Sequence, residues 1–217
     1  VDACLGLNLR VSVLDLPASL ETHAPHSDCL QHAIDATDEK SVEEAFGHIQ
    51  STWGGLDIMV NLCGFTNEFE AVSDMSVATW DEITEGNLRS AFLCSKAALP
   101  RLRQSNCAAI INTASGLAYK GLAGTSPYGA AKAGVIALSK SLANENAPDI
   151  RINVVAPGAV DTAFLKGGTS RTGENKNAKT HIDTDRYADA TPMKRLAVAD
   201  DVVAPILFLS GSAARFI

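Results

Sequence analysis

Apolar positions along the chain follow two rhythms. Short apolar-rich runs at Leu9 to Leu14, Leu30 to Ile34, Leu56 to Leu62, Ala108 to Ile111 and Ile150 to Ala156 read as strands, and the continuous ones suit a parallel sheet covered on both faces. Between them, apolar residues recur at three- and four-residue spacing, as on one face of a helix. In Glu39 to Trp53 the stripe is Val42, Ala45, Phe46, Ile49 and Trp53, with Asp38 placed to cap the start and Gly54-Gly55 to end it. Val1 to Leu7 reads as a helix end. Val77 to Arg103 is a longer helix with an irregularity expected near Gly86-Asn87, where a polar amide sits beside a glycine in an apolar segment. A small-residue helix contains Tyr128 and runs to about Asn146, and a final helix covers Asp200 to Leu209. Leu16 to Asp28 and Phe65 to Ser76 read as connections. Strands alternating with helices predict one α/β domain over residues 1–217, with a doubly wound parallel sheet flanked by helices.

Composition narrows the function without naming it. With 217 residues, 46% of them hydrophobic and 20% charged, the chain is long enough for one full core. A net charge of −7, with no basic stripe, argues against nucleic acid or an anionic membrane as a partner. Five cysteines without a Cys-x-x-Cys pair are the usage of a reduced compartment. No signal-peptide pattern or membrane-length apolar run is present, so a cytoplasmic location is expected. His23, His26 and Cys29 have a metal-like spacing but no partner cluster, and no metal site is expected.

The chemistry concentrates between Ser115 and Lys132. This stretch leaves the Ala108 to Ile111 strand and enters the small-residue helix, placing a hydroxyl, a phenol and an ammonium at a strand's carboxyl end. Tyr128 and Lys132 are four apart and share a helix face, where the cation is expected to favour the phenolate. From Gly129 to Leu138 every residue but Lys132 is small or apolar, so the helix is expected to be covered on most sides and the lysine to need a specific partner.

Ser115, then Tyr-x-x-x-Lys thirteen residues later, with Asn87 upstream and Pro157-Gly158 downstream, resembles the short-chain dehydrogenase/reductase family. Asp15 closing an early strand, Asn61-Leu62-Cys63-Gly64 after a middle one and Pro157-Gly158-Ala159-Val160-Asp161-Thr162 after a later one extend the likeness over nearly the whole chain. The resemblance implies a Rossmann-type fold and an NAD-dependent oxidoreductase interconverting a secondary alcohol and a ketone. Tyr128 would exchange the hydroxyl proton, Ser115 hold the substrate oxygen, Lys132 lower the tyrosine pKa and hold the nicotinamide ribose, and Asn87 complete a water relay. Asp15 and Leu16 would meet the adenosine ribose, the acid favouring NAD over NADP. Asp35 and Ala36 would lie at the adenine, Asn61, Cys63 and Gly64 beside the cofactor ribose, and Pro157, Gly158, Val160 and Thr162 at the nicotinamide. The middle turn departs from the family's Asn-Asn-Ala-Gly at Leu62 and Cys63, which removes the second amide.

The glycine-rich turn of a dinucleotide fold is not found in the sequence. A strand and that turn are expected to precede Val1, and a last strand to follow Ile217, as if the chain were a fragment. Residues 161–192, weakly hydrophobic from Lys166 to Tyr187, are expected to form a substrate lid. Phe92, Leu93, Ala97, Ala98 and Leu102 offer an apolar face for a second subunit, and the family suggests a homotetramer or homodimer. The substrate is expected to be a small alcohol or ketone. A non-catalytic dinucleotide-binding homologue is the alternative, and a sugar-nucleotide epimerase a third reading for which the chain has little room.

Overall fold

The computed structural model describes residues 1–66, 69–166, 169–170, 173–174 and 182–217. A short helix α1 (Asp2–Leu5) leads into β1 (Ser12–Asp15), which pairs in parallel with β2 (Leu30–Ala33), Asp15 lying opposite Ala33. A second parallel ladder, in the order β3 (Ile58–Asn61), β4 (Ala109–Thr113), β5 (Arg151–Val155), sets Asn61 opposite Asn112 and Thr113 opposite Val155. Among the described residues these two ladders are not joined into the single sheet the pattern suggests. Correspondingly, the Leu56 to Leu62 segment is not buried on both faces: Val60 is 38% and Leu62 63% exposed.

Helices cover both faces of the second ladder. On one side Met59, Ile110 and Ile152 join Val42, Ala45 and Phe46 of α3 (Glu39–Trp53) and the buried row of α5 (Ser90–Leu102). On the other, Ile111 and Val155 meet Ile206 of α8 (Ala199–Ser210). Adjacent strand residues point to opposite faces, so Ile110 and Ile111 fill different layers. Leu93, Ala97, Ala98 and Leu102 are at most 4% exposed within this core. That corrects the expected subunit face, of which only Phe92 is left outside, at 45%.

Local chemistry sets the element ends. Asp38 caps α3 by accepting from Lys40 N, and Gly54 closes it at φ 80°, a left-handed conformation costly for other residues. The stretch from Leu16 to Asp28 is more than a loop, because Pro17 occupies the first helical position of α2 (Pro17–Thr22), where its fixed φ suits a helix start. The long helix is α4 (Val77–Thr84), then a π-helical turn at Glu85–Arg89, then α5. The irregularity therefore falls where Gly86-Asn87 predicted it. Ser126–Asn146 forms α6, with Pro127, Tyr128, Ala131, Lys132, Val135 and Ser139 on its buried stripe. Ala130 and Ala137 are exposed, so α6 is covered along one face and not on most sides.

Beyond β5, Arg151 ties the carboxyl-terminal part down. Its guanidinium donates to the carbonyls of Leu209, Ser210, Gly211, Ala214 and Ile217 at 2.7–3.5 Å. Part of the lid expected over 161–192 lies outside the described residues. What is described there is a 3-10 turn at Ala163–Lys166, a two-residue antiparallel pair, β6 (Thr169–Ser170) with β7 (Gly173–Glu174), and α7 (Thr184–Ala190).

Candidate active site

The carboxyl ends of β3 and β4 and the start of α6 bring Ser115, Tyr128, Lys132 and Asn87 together. Gly116 N donates to Pro157 O at 2.8 Å, and Ala114 N to Val155 O, which hold the Ser115 turn against the segment after β5. In the first turn of α6, Tyr128 is 8% exposed, and the Ser115 hydroxyl acts on its phenol. Lys132, 3% exposed, donates to Cys63 O and Thr113 O, both at 3.0 Å. Its Nζ stands 5.8 Å from the centre of the Tyr128 ring. The partner a covered lysine requires is therefore a pair of strand-end carbonyls.

Asn87 is fully buried in the π-helical turn. Its amide nitrogen donates to Ile83 O and Phe65 O, each at 2.8 Å, so the side chain satisfies carbonyls where helical register slips. Its Oδ1 has no hydrogen-bond partner among the described residues. A Cβ on Gly64 would lie 2.5 Å from that oxygen and 2.8 Å from Lys132 Nζ. Gly64 is thus the residue that lets the amide and the ammonium close on one turn of backbone. A Cβ on Gly86 would overlap the Phe65 ring, which fixes Phe65 against Ile83 and Tyr128.

Burial sets the electrostatics of the site. It pushes the Tyr128 phenol above its ordinary range, while the Ser115 hydroxyl pulls it back in part. The sequence led to the opposite expectation, a phenol lowered by Lys132. The difference arises because two of the lysine's donors are spent on carbonyls and the phenol is desolvated. Lys132 is itself brought down to about 8 by burial, partly opposed by Cys63. The Cys63 and Cys94 thiols act on each other, which lowers Cys63 and, together with burial, raises Cys94.

The remaining sequence candidates line a cleft beside this cluster. Leu14, Asp15, Leu16, Asp35, Ala36, Thr37, Cys63, Gly64 and Phe65 are among its walls, which among the described residues carry two carboxylates and neither lysine nor arginine, while Arg89 donates to the Thr37 carbonyl at 3.2 Å. Asp15 is exposed at the end of β1, one oxygen taking Leu16 N at 2.7 Å. Asp35 accepts from Thr37 N and Oγ1, so it shapes its own turn as well as facing the cleft. Asn61 points inward: its Oδ1 accepts from Cys63 N, and its Nδ2 donates to Asn112, which donates to Ser139. It therefore shapes the turn from behind. Val160 bridges to Ala197, Thr162 hydrogen-bonds Val160 O at 3.4 Å, and Pro157-Gly158 run beside Gly116.

Three participants were missed in the sequence. Phe164 packs on Tyr128 at 6.1 Å between ring centres. The Tyr187 hydroxyl of α7 accepts from Ala159 N at 3.1 Å, and Gly158 lies so close that a Cβ there would be 2.9 Å from it. Cys94 backs Cys63. None of the three belongs to a motif in the sequence, and only the fold brings them to the site.

This arrangement has close counterparts. A family model described as enoyl-(acyl carrier protein) reductase matches residues 8–217. The chain belongs to the short-chain dehydrogenase/reductase family. It is 34% identical over 188 residues to the 3-oxoacyl-[acyl-carrier-protein] reductase FabG of Salmonella typhimurium, covering 85% of this chain and 71% of that one. It is 34% identical to the cis-4-hydroxycyclohexanecarboxylate dehydrogenase of Sinomonas cyclohexanicum over 84% of this chain and 70% of the relative. Among solved structures, ligand-free aldohexose dehydrogenase of Thermoplasma acidophilum superimposes with a TM-score of 0.86 at 25% identity, covering 100% and 82% of the two chains. ElxO with NADP bound gives 0.85 at 26%, covering 99% and 86%. Membership makes this chain an NAD(P)-dependent oxidoreductase acting between alcohol and carbonyl groups. Among the described residues no helix is long and apolar enough to cross a membrane, and no cluster of three metal-ligating side chains occurs.

Proposed function

We propose that the chain is an NAD-dependent oxidoreductase that interconverts a secondary alcohol and a ketone, with Tyr128 as the proton-transferring acid and base. The observation that carries this reading is the buried Tyr128 phenol, on which the Ser115 hydroxyl acts, one turn from a buried lysine. The raised phenol is a proton donor at neutral pH, ready to protonate the oxygen of a ketone as it becomes an alkoxide. Ser115 holds that oxygen in place. In the reverse direction the proton returns to Tyr128, and the Lys132 ammonium stabilises the phenolate. The orphan Oδ1 of Asn87 beside Lys132 is the acceptor that a relaying water requires.

The residues present fit a nicotinamide dinucleotide. Gly64 admits close approach to the Cys63 turn, Lys132 has a third donor for a ribose hydroxyl, and Pro157, Gly158, Val160 and Thr162 would meet the nicotinamide. When bound, the cofactor supplies or accepts the hydride. Asp15 and Leu16 would hold the adenosine ribose, Asp35 and Ala36 the adenine. With Asp15 and Asp35 in the walls and no lysine or arginine among the described residues that line them, a 2′-phosphate meets repulsion, which supports NAD over the NADP that ElxO carries. The names of the relatives support ketones and alcohols on open chains or six-membered rings, and Phe164 and Leu117 beside Tyr128 support an apolar substrate. We further propose a dimer or tetramer, supported by the exposed Phe92 on α5, and a cytoplasmic setting, supported by five unpaired cysteines.

Parallel thermal-shift titrations with NADH and NADPH test the cofactor assignment. A ligand at a hundred times its dissociation constant stabilises the native state by about 2.7 kcal/mol. NADH is expected to stabilise at far lower concentration than NADPH. Stabilisation by NADPH alone would overturn the role of Asp15, and binding without turnover of any ketone in a broad panel would favour the non-catalytic alternative.

A further inference from the structure

The backbone that follows β5 is pinned at several points, and one pin comes from a side chain that no step of the proposed reaction uses. Pro157 O accepts from Gly116 N at 2.8 Å, Ala159 O accepts from Ala197 N at 3.2 Å, and Asp161 N donates to Ala197 O at 2.8 Å. In these three contacts backbone holds backbone. The half-buried Ala159 donates its N–H to a side chain instead, the Tyr187 hydroxyl, at 3.1 Å. Gly158 marks the same approach. Its φ lies outside the left-handed region, so conformation alone does not require a glycine there. A Cβ at 158 would lie 2.9 Å from the Tyr187 oxygen, the one atom of the described residues that it would meet within 4 Å beyond its chain neighbours. The place left empty by the missing side chain is therefore the space through which the phenol reaches Ala159 N. The helix α7 presents that hydroxyl from a fixed backbone. Tyr187 N donates to Asp183 O at 2.9 Å, and Tyr187 O accepts from Thr191 N at 3.0 Å and Thr191 Oγ1 at 2.9 Å.

Resting on the cofactor reading above, in which Pro157, Gly158, Val160 and Thr162 meet the nicotinamide, we propose that Tyr187 is a positioning residue for the nicotinamide end of the cofactor, acting through the backbone of Gly158 and Ala159. The hydroxyl fixes the peptide between these two residues from one side, and Ala197 fixes the next peptides from the other. Removing the acceptor leaves Ala159 N to water and frees that peptide to turn, which blurs the surface offered to the ring. The residues that would hold the adenosine, Asp15, Leu16, Asp35 and Ala36, are carried by the separate β1–β2 ladder. The effect of the hydroxyl therefore falls on one end of the cofactor.

The wild type and Tyr187→Phe, which keeps the ring and loses only the hydroxyl of a side chain 38% exposed, are titrated by calorimetry with NADH and with ADP-ribose. ADP-ribose has every group of NADH except the nicotinamide ring, so it separates the two ends of the cofactor. Tyr187→Phe is expected to bind NADH about two- to tenfold more weakly, the worth of one net hydrogen bond, with ADP-ribose affinity and melting temperature unchanged. A merely structural role for α7 would weaken both ligands together or lower the melting temperature, and either result overturns the proposal. Equal NADH affinity in the two proteins overturns it as well, and leaves the cofactor reading standing. A wild type that binds ADP-ribose as tightly as NADH also contradicts it, because the ring is then not held. Binding of neither ligand by the wild type overturns the NAD reading itself, and the role of Tyr187 with it.

Discussion

Replacing Lys132 by methionine keeps most of the side-chain volume and removes the charge, which makes it a direct probe of how this site is held. The ammonium is brought from 10.5 to about 8 by burial. A tenfold change in proton affinity corresponds to about 1.36 kcal/mol, so below pH 8 the folded state carries a penalty of about 3 kcal/mol for keeping the lysine charged. Between pH 8 and 10.5 the unfolded chain binds the proton and the folded chain does not, so native stability rises with pH and the penalty disappears. Lys132→Met has no such group. The Tyr128 phenol, raised above its ordinary value of 10, acts in the opposite direction above that pH, but it is common to both proteins. Urea unfolding of the two proteins at pH 7, 8, 9 and 10 measures the difference. The wild type should gain most of about 3 kcal/mol relative to the variant over this range. Parallel pH profiles would refute the idea that Lys132 is held charged against burial.

Other substitutions test other parts of the account. Gly86→Ala drives a methyl into the Phe65 ring and should cost about 1–3 kcal/mol in urea unfolding, with disturbed packing at Tyr128. Tyr187→Phe removes only the acceptor for Ala159 N. It should raise the cofactor KM about two- to tenfold with little change in melting temperature, because one net hydrogen bond is involved. Arg151→Met strips five carbonyls of their donor near the end of α8 and should lower stability by about 2–4 kcal/mol, seen as a lower urea midpoint.

The helices and strands were legible because their pattern is dictated by local burial. Asp38 and Gly54 bound α3 as read, and the irregularity at Gly86-Asn87 is the π-helical turn. The structure brings Asn87, Ser115, Tyr128 and Lys132 together, and the sequence pointed to this group through the spacing on which the family resemblance rests, with a lysine among small and apolar residues as the local sign. What escaped the sequence depends on distant contacts. Nothing local shows that Leu93 to Leu102 faces this chain's own core, or that Lys132 reaches two carbonyls in place of the phenol. The Asn61, Asn112 and Ser139 chain joins residues 51 and 27 positions apart. The short helix α2 was hidden because Pro17–Thr22 is too brief to show an apolar stripe, and only the proline at its first position marks its start.

The most direct test of the central claim is the turnover of NADH with a panel of cyclohexanones and open-chain keto esters by Tyr128→Phe, measured beside its NADH affinity. The account predicts loss of at least about a hundredfold in kcat, the lower range for an acid–base group, with affinity and fold unchanged. Turnover near that of the wild type would contradict the assignment of Tyr128 as the acid and base.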